Sequence, residues 1–291
     1  MPVTNEMNLP QPFVDAVTRD YTYTPKRYSV TSLLKGTREA ILQRRHNDEV
    51  TTDVSDMIWL LFGTAVHSVL EKAQESDSQL KENKIEMQMP NGYTLSGIFD
   101  LYDDSTGIVT DYKTASVWKV IYDEWDDYRT QLLIYCYMLR DMGFDAHTGE
   151  IVAILKDHSK SKAKYDQSYP QHPVFVKRFE FDESDFDDIG MWLQCKFEEL
   201  EAAEQLSDDE LPICSPEERW AKPAKYAVYK NANKKATKLC DSEEEAKAYI
   251  AIQPTNIKWR IEYRAGTDGK CDEYCSVCQW CSYWKEKNDA I

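Results

Sequence analysis

The sequence predicts an α/β fold in which helices flank a central sheet. Three observations carry that prediction. Residues 93–116 read as two strands about a polar turn, helical periodicity runs through 56–75 and 125–142 on either side, and short strand-like runs follow at 150–156 and 175–181. A chain of 291 residues can bury a full core. The spacing of these patterns divides it into an extended arm (1–27), a core (28–210), a Lys-rich subdomain (211–258) and a cysteine-bearing segment (259–291).

Residues 1–27 are punctuated by Pro and show little periodicity, which predicts an extended arm. From Tyr28 the run YSVTSLLKGTREAILQRRH predicts a helix capped by Ser29 or Thr31, with Leu33, Leu34, Ile41 and Leu42 as its apolar side. Arg38, Arg44 and Arg45 on that helix suit either a phosphate contact or a solvated face. Residues 56–75 form a strongly apolar helix through Ile58, Leu61, Phe62, Val66, Val69 and Leu70. His67 and Glu71 stand one turn apart on it, and Gly63 permits a close approach.

The hairpin is the chemically dense stretch. Strands 93–102 and 108–115 flank Asp103-Asp104-Ser105-Thr106-Gly107, with Gly107 suited to a positive φ. Alternation along the second strand puts Asp111 and Lys113 on one face, and pairing carries Asp100 toward Asp111. Two carboxylates and an ammonium on one wall suit a hard divalent cation, Mg²⁺ or Mn²⁺, and an anionic substrate.

After the hairpin, the helix at 125–142 buries Leu132, Leu133, Tyr135, Cys136 and Leu139, with Gln131 and Tyr135 one turn apart on a shared face. Strands at 150–156 and 175–181 extend the sheet, the second as an edge. The basic, Pro-interrupted stretch between them reads as a loop over a substrate channel or a solvated excursion. Residues 182–210 form an amphipathic helix with an acidic outer face, which belongs away from any polyanion. Lys222, Lys225, Lys230, Lys234, Lys235 and Lys238 then fall in a stretch without an acid and interleave with Tyr226 and Tyr229. That is a pattern suited to nucleic acid, or a plain Lys-rich hairpin before a helix at 242–251.

Gly97-Ile98-Phe99-Asp100 followed by Thr110-Asp111-Tyr112-Lys113-Thr114 resembles the D…(D/E)xK core of the PD-(D/E)XK nuclease superfamily. The nearest resemblance is to the RecB-type branch, which includes CRISPR-associated exonucleases and many phage nucleases. Gly63-x₃-His67-x₃-Glu71 is similar to that branch's first motif helix, and Gln131-x₃-Tyr135 to its last. The resemblance implies a restriction-endonuclease-like core with a mixed central sheet. It implies metal ligands at His67, Asp100, Asp111 and the Tyr112 carbonyl, a water-orienting Lys113, and Gln131 and Tyr135 lining the site. The implied activity is metal-dependent hydrolysis of DNA, as an exonuclease in recombination or repair, with a recombination or annealing protein as a possible partner.

Cys271-x₃-Cys275-x₂-Cys278-x₂-Cys281 is a dense thiolate array. Its close spacing is nearer to ferredoxin-like ligation of a [4Fe–4S] cluster than to the split pairs of a zinc ribbon, with zinc as the alternative. Iron–sulfur nucleases of the RecB type take one ligand from an N-terminal Cys. This chain has Lys35-Gly36-Thr37-Arg38 there and no Cys before Cys136, so the fourth ligand is expected locally, from Cys271 with Cys240 in reserve. The first three cysteines also match the cluster motif of radical S-adenosylmethionine enzymes, but no barrel pattern follows them.

The net charge is −16, from 35 basic and 51 acidic residues, which argues against a protein that coats nucleic acid nonspecifically. It leaves open a nuclease that holds its substrate through metal and a local basic strip. No apolar run is long enough to span a bilayer and the N-terminus lacks a signal-peptide core, so the expected location is the cytoplasm, or the host cytoplasm for a phage-borne protein. Two other readings stand beside the nuclease: a nuclease fold that binds DNA ends without cutting, and a cluster-dependent redox or radical enzyme.

Overall fold

The computed structural model describes residues 2–18, 22–74 and 76–289. It separates into two compact units, residues 1–206 and 207–291. The first unit runs β1 (Val3–Thr4), α1 (Gln11–Val17), β2 (Arg27–Ser29), α2 (Val30–Leu33), α3 (Thr37–Arg45), β3 (Thr52–Asp53), α4 (Ile58–Glu71), β4 (Gln79–Gln88), β5 (Thr94–Asp103) and β6 (Ile108–Ala115). It continues with α5 (Val117–Ile121), α6 (Asp126–Asp141), β7 (Thr148–Leu155), α7 (Lys160–Tyr165), β8 (Val174–Glu180) and α8 (Glu183–Glu204). Among the described residues these build one mixed, six-stranded sheet flanked by helices, the α/β arrangement that the sequence predicts.

β5 organises the sheet. β4 pairs antiparallel along its full length, from Gln88↔Thr94 to Gln79↔Asp103. Its other edge is shared: β2 joins in parallel at Thr94–Ser96, and β6 joins antiparallel at Leu101–Asp103. Gly97, Ile98, Phe99 and Asp100 lie between those two ladders, where the sheet opens. β6 then pairs with β7 in parallel and β7 with β8 antiparallel, so β6 is held inside the sheet.

α6 and α8 supply the core. α6 buries Gln131, Leu132, Leu133, Ile134, Tyr135, Cys136, Met138 and Leu139. The Tyr135 ring lies so close to β5 that a Cβ on Gly97 would sit 2.5 Å from its Cε1, which is why that strand position carries Gly. α8 starts with a capping box between Asp182 and Asp185 and buries Phe186, Ile189, Leu193, Phe197 and Leu200 at helical spacing. Its end is pinned where Glu204 accepts from Tyr28 Oη at 2.6 Å and Tyr93 Oη at 2.7 Å, both rings buried against Phe197.

Several expectations change. The helix expected from Tyr28 is a strand followed by two short helices: Ser29 caps α2, accepting from Ser32 N, and Gly36, at φ −57° and ψ 143°, breaks the helix before α3. Arg38 is buried, Arg44 donates to the carbonyls of Arg27 and Thr24 and stacks on Tyr28, and Arg45 donates to those of Glu204 and Leu206, so these arginines hold the fold together. The arm is not simply extended. Pro10 and Pro12 open α1, whose Phe13, Val14 and Val17 pack with Val54, Met57 and Leu61. α4 is shorter than expected and, despite its apolar sequence, buries no residue: Trp59 is 56% exposed and Leu60 45%. Trp192 on α8 is 36% exposed and lies outside the buried stripe of that helix.

The second unit has its own small core. β9 (Ala221–Lys222), β10 (Lys225–Lys230), β11 (Lys238–Cys240), α9 (Glu243–Ala251), β12 (Trp259–Arg264), β13 (Thr267–Asp268), α10 (Gly269–Glu273), a 3₁₀ turn (Cys278–Trp280) and α11 (Ser282–Asp289) follow in order. β10 is central between β11 and β12, and Val228 and Cys240 pack with Ala246 of α9. Because β12 completes this sheet, the expected boundary at 258/259 falls inside one unit. Cys240 is a core residue of the sheet, which removes it as a reserve ligand. Among the described residues no helix is long and apolar enough to cross a membrane.

Candidate active site

The opening in the sheet between the β2 and β6 ladders is where the acidic groups gather. The β5–β6 register continues from Leu101↔Thr110 to place Asp100 across from Asp111. There the strands part, and Asp100 Oδ2 accepts the Tyr112 amide at 2.7 Å in place of a backbone partner. Since N–H and C=O of one strand residue point to the same edge, the Tyr112 carbonyl also faces this gap. Asp111 and Lys113 do share a face: Lys113 Nζ lies 2.9 Å from Asp111 Oδ1 and 2.7 Å from Oδ2.

α6 closes the site from behind. Gln131 Nε2 donates to Asp111 Oδ1 at 3.4 Å and to Tyr135 Oη at 3.3 Å, which ties the expected Gln–Tyr pair to the expected carboxylate. α4 supplies His67, whose Nδ1 is 3.1 Å from Asp100 Oδ1.

One member of the site was missed in the sequence. Glu82 lies on β4 directly across from Asp100, since Lys81↔Leu101 and Asn83↔Phe99 bracket it. Its φ is +49°, a left-handed conformation that costs a non-Gly residue and interrupts the ladder at that point. Like charges placed directly opposite are destabilising as well. Glu82 Oε1 stands 3.7 Å from His67 Nδ1, and ligand atoms of His67, Glu82 and Asp100 all lie within 4.8 Å of one another. A hollow of about 450 Å³, walled in part by Trp59, Gly63, Thr64 and Glu71, opens onto His67 and Glu82.

The donor set fits a hard divalent cation: an imidazole, carboxylates and a backbone carbonyl converge in a half-buried place. Asp111 Oδ2 adds a further sign. It is buried, and the single Lys113 ammonium is shared between it and Oδ1, so the carboxylate keeps acceptor capacity for a cation.

Proton affinities in the site follow its crowding. His67 is raised, first by its hydrogen bond to Asp100. Burial is the largest cause for both acids: it raises Glu82, with Asp100 adding, and pushes Asp111 up to about 6, with Lys113 opposing. A raised folded-state pKa contributes stability below the unfolded value, and that contribution is lost as pH rises through the folded value. The metal-free protein therefore loses stability on going from mildly acidic to neutral pH and above. A cation held by these groups would take the place of the expelled protons. Thermal melts with Mg²⁺ or Mn²⁺ against EDTA should show a stabilisation by metal that grows between about pH 5.5 and pH 8. A shift that ignores pH would remove these groups from the metal site.

A family model of the PD-(D/E)XK nuclease superfamily matches residues 60–283, well over half of the chain. The chain belongs to the PD-(D/E)XK nuclease superfamily. Nucleases of this superfamily use divalent metal, consistent with the donor set above. Among curated proteins, no sequence matches it. Similar solved structures include SSO0001, at 17% identity and TM-score 0.42 over 59% of this chain and 76% of that one. The alkaline exonuclease LHK-Exo from Laribacter hongkongensis is 12% identical, at TM-score 0.35 over 65% and 91%. A phage-related exonuclease from Haemophilus somnus 129PT is 12% identical, at TM-score 0.29 over 58% and 74%.

Of the expected nucleic-acid contacts in the second unit, Lys225 pairs with Asp241, and Lys238 with Glu245 at 2.9 Å. Lys222, Lys230, Lys234 and Lys235 are exposed. Tyr229 is no stacking platform: it is buried, with Arg260 3.9 Å above its ring.

Proposed function

We propose that this protein is a Mg²⁺- or Mn²⁺-dependent deoxyribonuclease that degrades DNA from ends, in recombination or repair. The observation that carries the reading is the convergence of His67, Glu82, Asp100, Asp111 and Lys113 at the sheet opening, in a chain of a nuclease superfamily. His67, Glu82, Asp100, Asp111 and the Tyr112 carbonyl would hold the metal. When bound, it would supply a water of lowered pKa and charge neutralisation at the scissile phosphate. Lys113 holds Asp111 in place and presents an ammonium toward developing negative charge. Gln131 and Tyr135 fix the Asp111 rotamer from behind.

The surroundings suit a nucleic-acid strand. Trp118 and Tyr122 stack on each other at 5.7 Å beyond the end of β6 and are largely exposed, and Lys156 sits 3.9 Å over the exposed Trp59. Exposed aromatics beside cations favour unpaired bases and their phosphates. The exposed lysines of the second unit would by themselves suit phosphate, and a thiolate-bound metal, [4Fe–4S] or else zinc, would brace that unit's C-terminal segment.

Purified protein incubated with linear duplex, nicked and covalently closed DNA, and with single strands, in Mg²⁺ or EDTA, tests the reading. Expected is Mg²⁺-dependent loss of linear DNA with closed circles left intact. Cleavage of closed circles would make the enzyme an endonuclease, and no cleavage of any substrate would leave only DNA binding.

A further inference from the structure

We propose that Cys214 contributes a sulfur ligand to the same metal centre as Cys271 and Cys281. The centre would then be contained within residues 207–291, and its earliest ligand would lie far from the cysteine run at the C-terminus. Cys271, Cys275, Cys278 and Cys281 are close in sequence, whereas Cys214 is separated from them by the whole β10–β12 sheet.

The fold returns the chain to Cys214 through a buried ionic knot. Arg219 donates through Nε to the Cys214 carbonyl at 3.0 Å and through Nη1 to Asp268 Oδ1 at 2.8 Å. Asp268 is 6% exposed and also accepts from Tyr283 Oη at 2.8 Å and Lys287 Nζ at 2.9 Å. β9 and β13 pair in register, Ala221 with Asp268, and the Lys270 amide donates to the Arg219 carbonyl. The segment carrying Cys214 is thereby latched to the turn that carries Cys271.

From there the backbone folds back on itself. The Cys275 amide donates to the Lys270 carbonyl at 2.8 Å and the Cys281 amide to the Cys278 carbonyl at 2.9 Å. All five thiols are half-buried and none is in a disulfide. The Cys214 and Cys281 thiols and the Asp268 carboxylate are electrostatic neighbours of the Cys271 thiol, and Cys281 is one of Cys278. A soft cation binds cysteine side chains as thiolates and releases their protons. The donor chemistry fits either an iron–sulfur cluster or zinc.

The test reads bound metal, so its outcome is independent of whether the protein cuts DNA. Full-length protein purified without oxygen from cells supplied with iron and zinc is assayed for iron, acid-labile sulfide, zinc and visible absorption. Cys214→Ser should hold at least about tenfold less metal than wild type, as should Cys271→Ser and Cys281→Ser, while Cys195→Ser on α8 keeps it all. Cys214→His, which can still ligate, should recover part of the content and separates a ligand from a merely structural thiol. Single Cys275→Ser and Cys278→Ser variants identify the remaining sulfur. Iron with sulfide assigns a cluster and zinc alone a tetrahedral site. Wild-type metal content in Cys214→Ser overturns the proposal, as does wild-type protein that holds neither metal.

Discussion

Asp111→Asn should leave a folded protein whose Mg²⁺-dependent cleavage of DNA falls by about 10³-fold or more. The carboxylate lies at the junction of the site: Lys113 reaches both of its oxygens, Gln131 donates to one, and Asp100 faces it across the parted strands. Asn keeps the size and one carbonyl acceptor for Gln131 but removes the charge that would hold a cation. Several kcal/mol of transition-state stabilisation are assigned to such a metal, and about 4 kcal/mol corresponds to about 10³ in rate. Folding should not suffer. Asp111 is buried with its pKa raised, so the ionised form is costly to the folded state at neutral pH, and Lys113 retains a path to solvent. The expected Tm is equal to wild type or higher in EDTA, with the stabilisation by Mg²⁺ diminished. Cleavage at the wild-type rate by Asp111→Asn would sink the metal-nuclease reading, and a large drop in Tm would show instead that Asp111 is a structural ion.

The hairpin was legible because its signals are local. Period-two alternation fixes which face Asp111 and Lys113 share, and the polar turn with Gly107 fixes the register that sets Asp100 opposite Asp111. Gln131 and Tyr135 were legible for the corresponding helical reason. What the sequence hid is non-local or against propensity. β4 begins Gln79-Leu80-Lys81-Glu82-Asn83-Lys84, a run whose polar residues mask the alternation visible only at Ile85 and Met87. Its place beside β5 comes from pairing along the whole strand. α1 was obscured by prolines that in fact open it, and the break at Gly36 turned one apparent helix into two. The apolar face of α4 misled in the other direction. Its periodicity is real, but the helix lies over an open site, so apolar composition did not become burial. In the second unit, the Lys-rich run promised a basic face, whereas the fold turns Tyr229 inward and spends two of the lysines on acids.

Glu82 is the residue on which the structure adds most, and its replacement should separate stability from function. A left-handed glutamate facing an aspartate lowers the stability of the fold twice, through backbone strain and through charge repulsion. Strain of this kind persists where surrounding structure imposes it, and it gathers at functional sites. Glu82→Gln removes the charge and keeps the reach. The Mg²⁺ concentration for half-maximal cleavage should rise by about 10–100-fold, in keeping with the loss of one group from a metal site, while the Tm in EDTA rises because Asp100 loses a repulsive neighbour. Glu82→Gly relieves the backbone as well, and should stabilise the metal-free protein by about 1 kcal/mol beyond that. Both variants should bind DNA in EDTA as wild type does, since neither removes a cation. Metal titrations of cleavage beside thermal melts in EDTA and Mg²⁺ decide the matter. An unchanged Mg²⁺ requirement together with a lower Tm would mean that Glu82 is held at +49° to support β4 and not to bind metal. A raised requirement with a raised Tm would mean that the fold tolerates a strained acid there because the cation needs it.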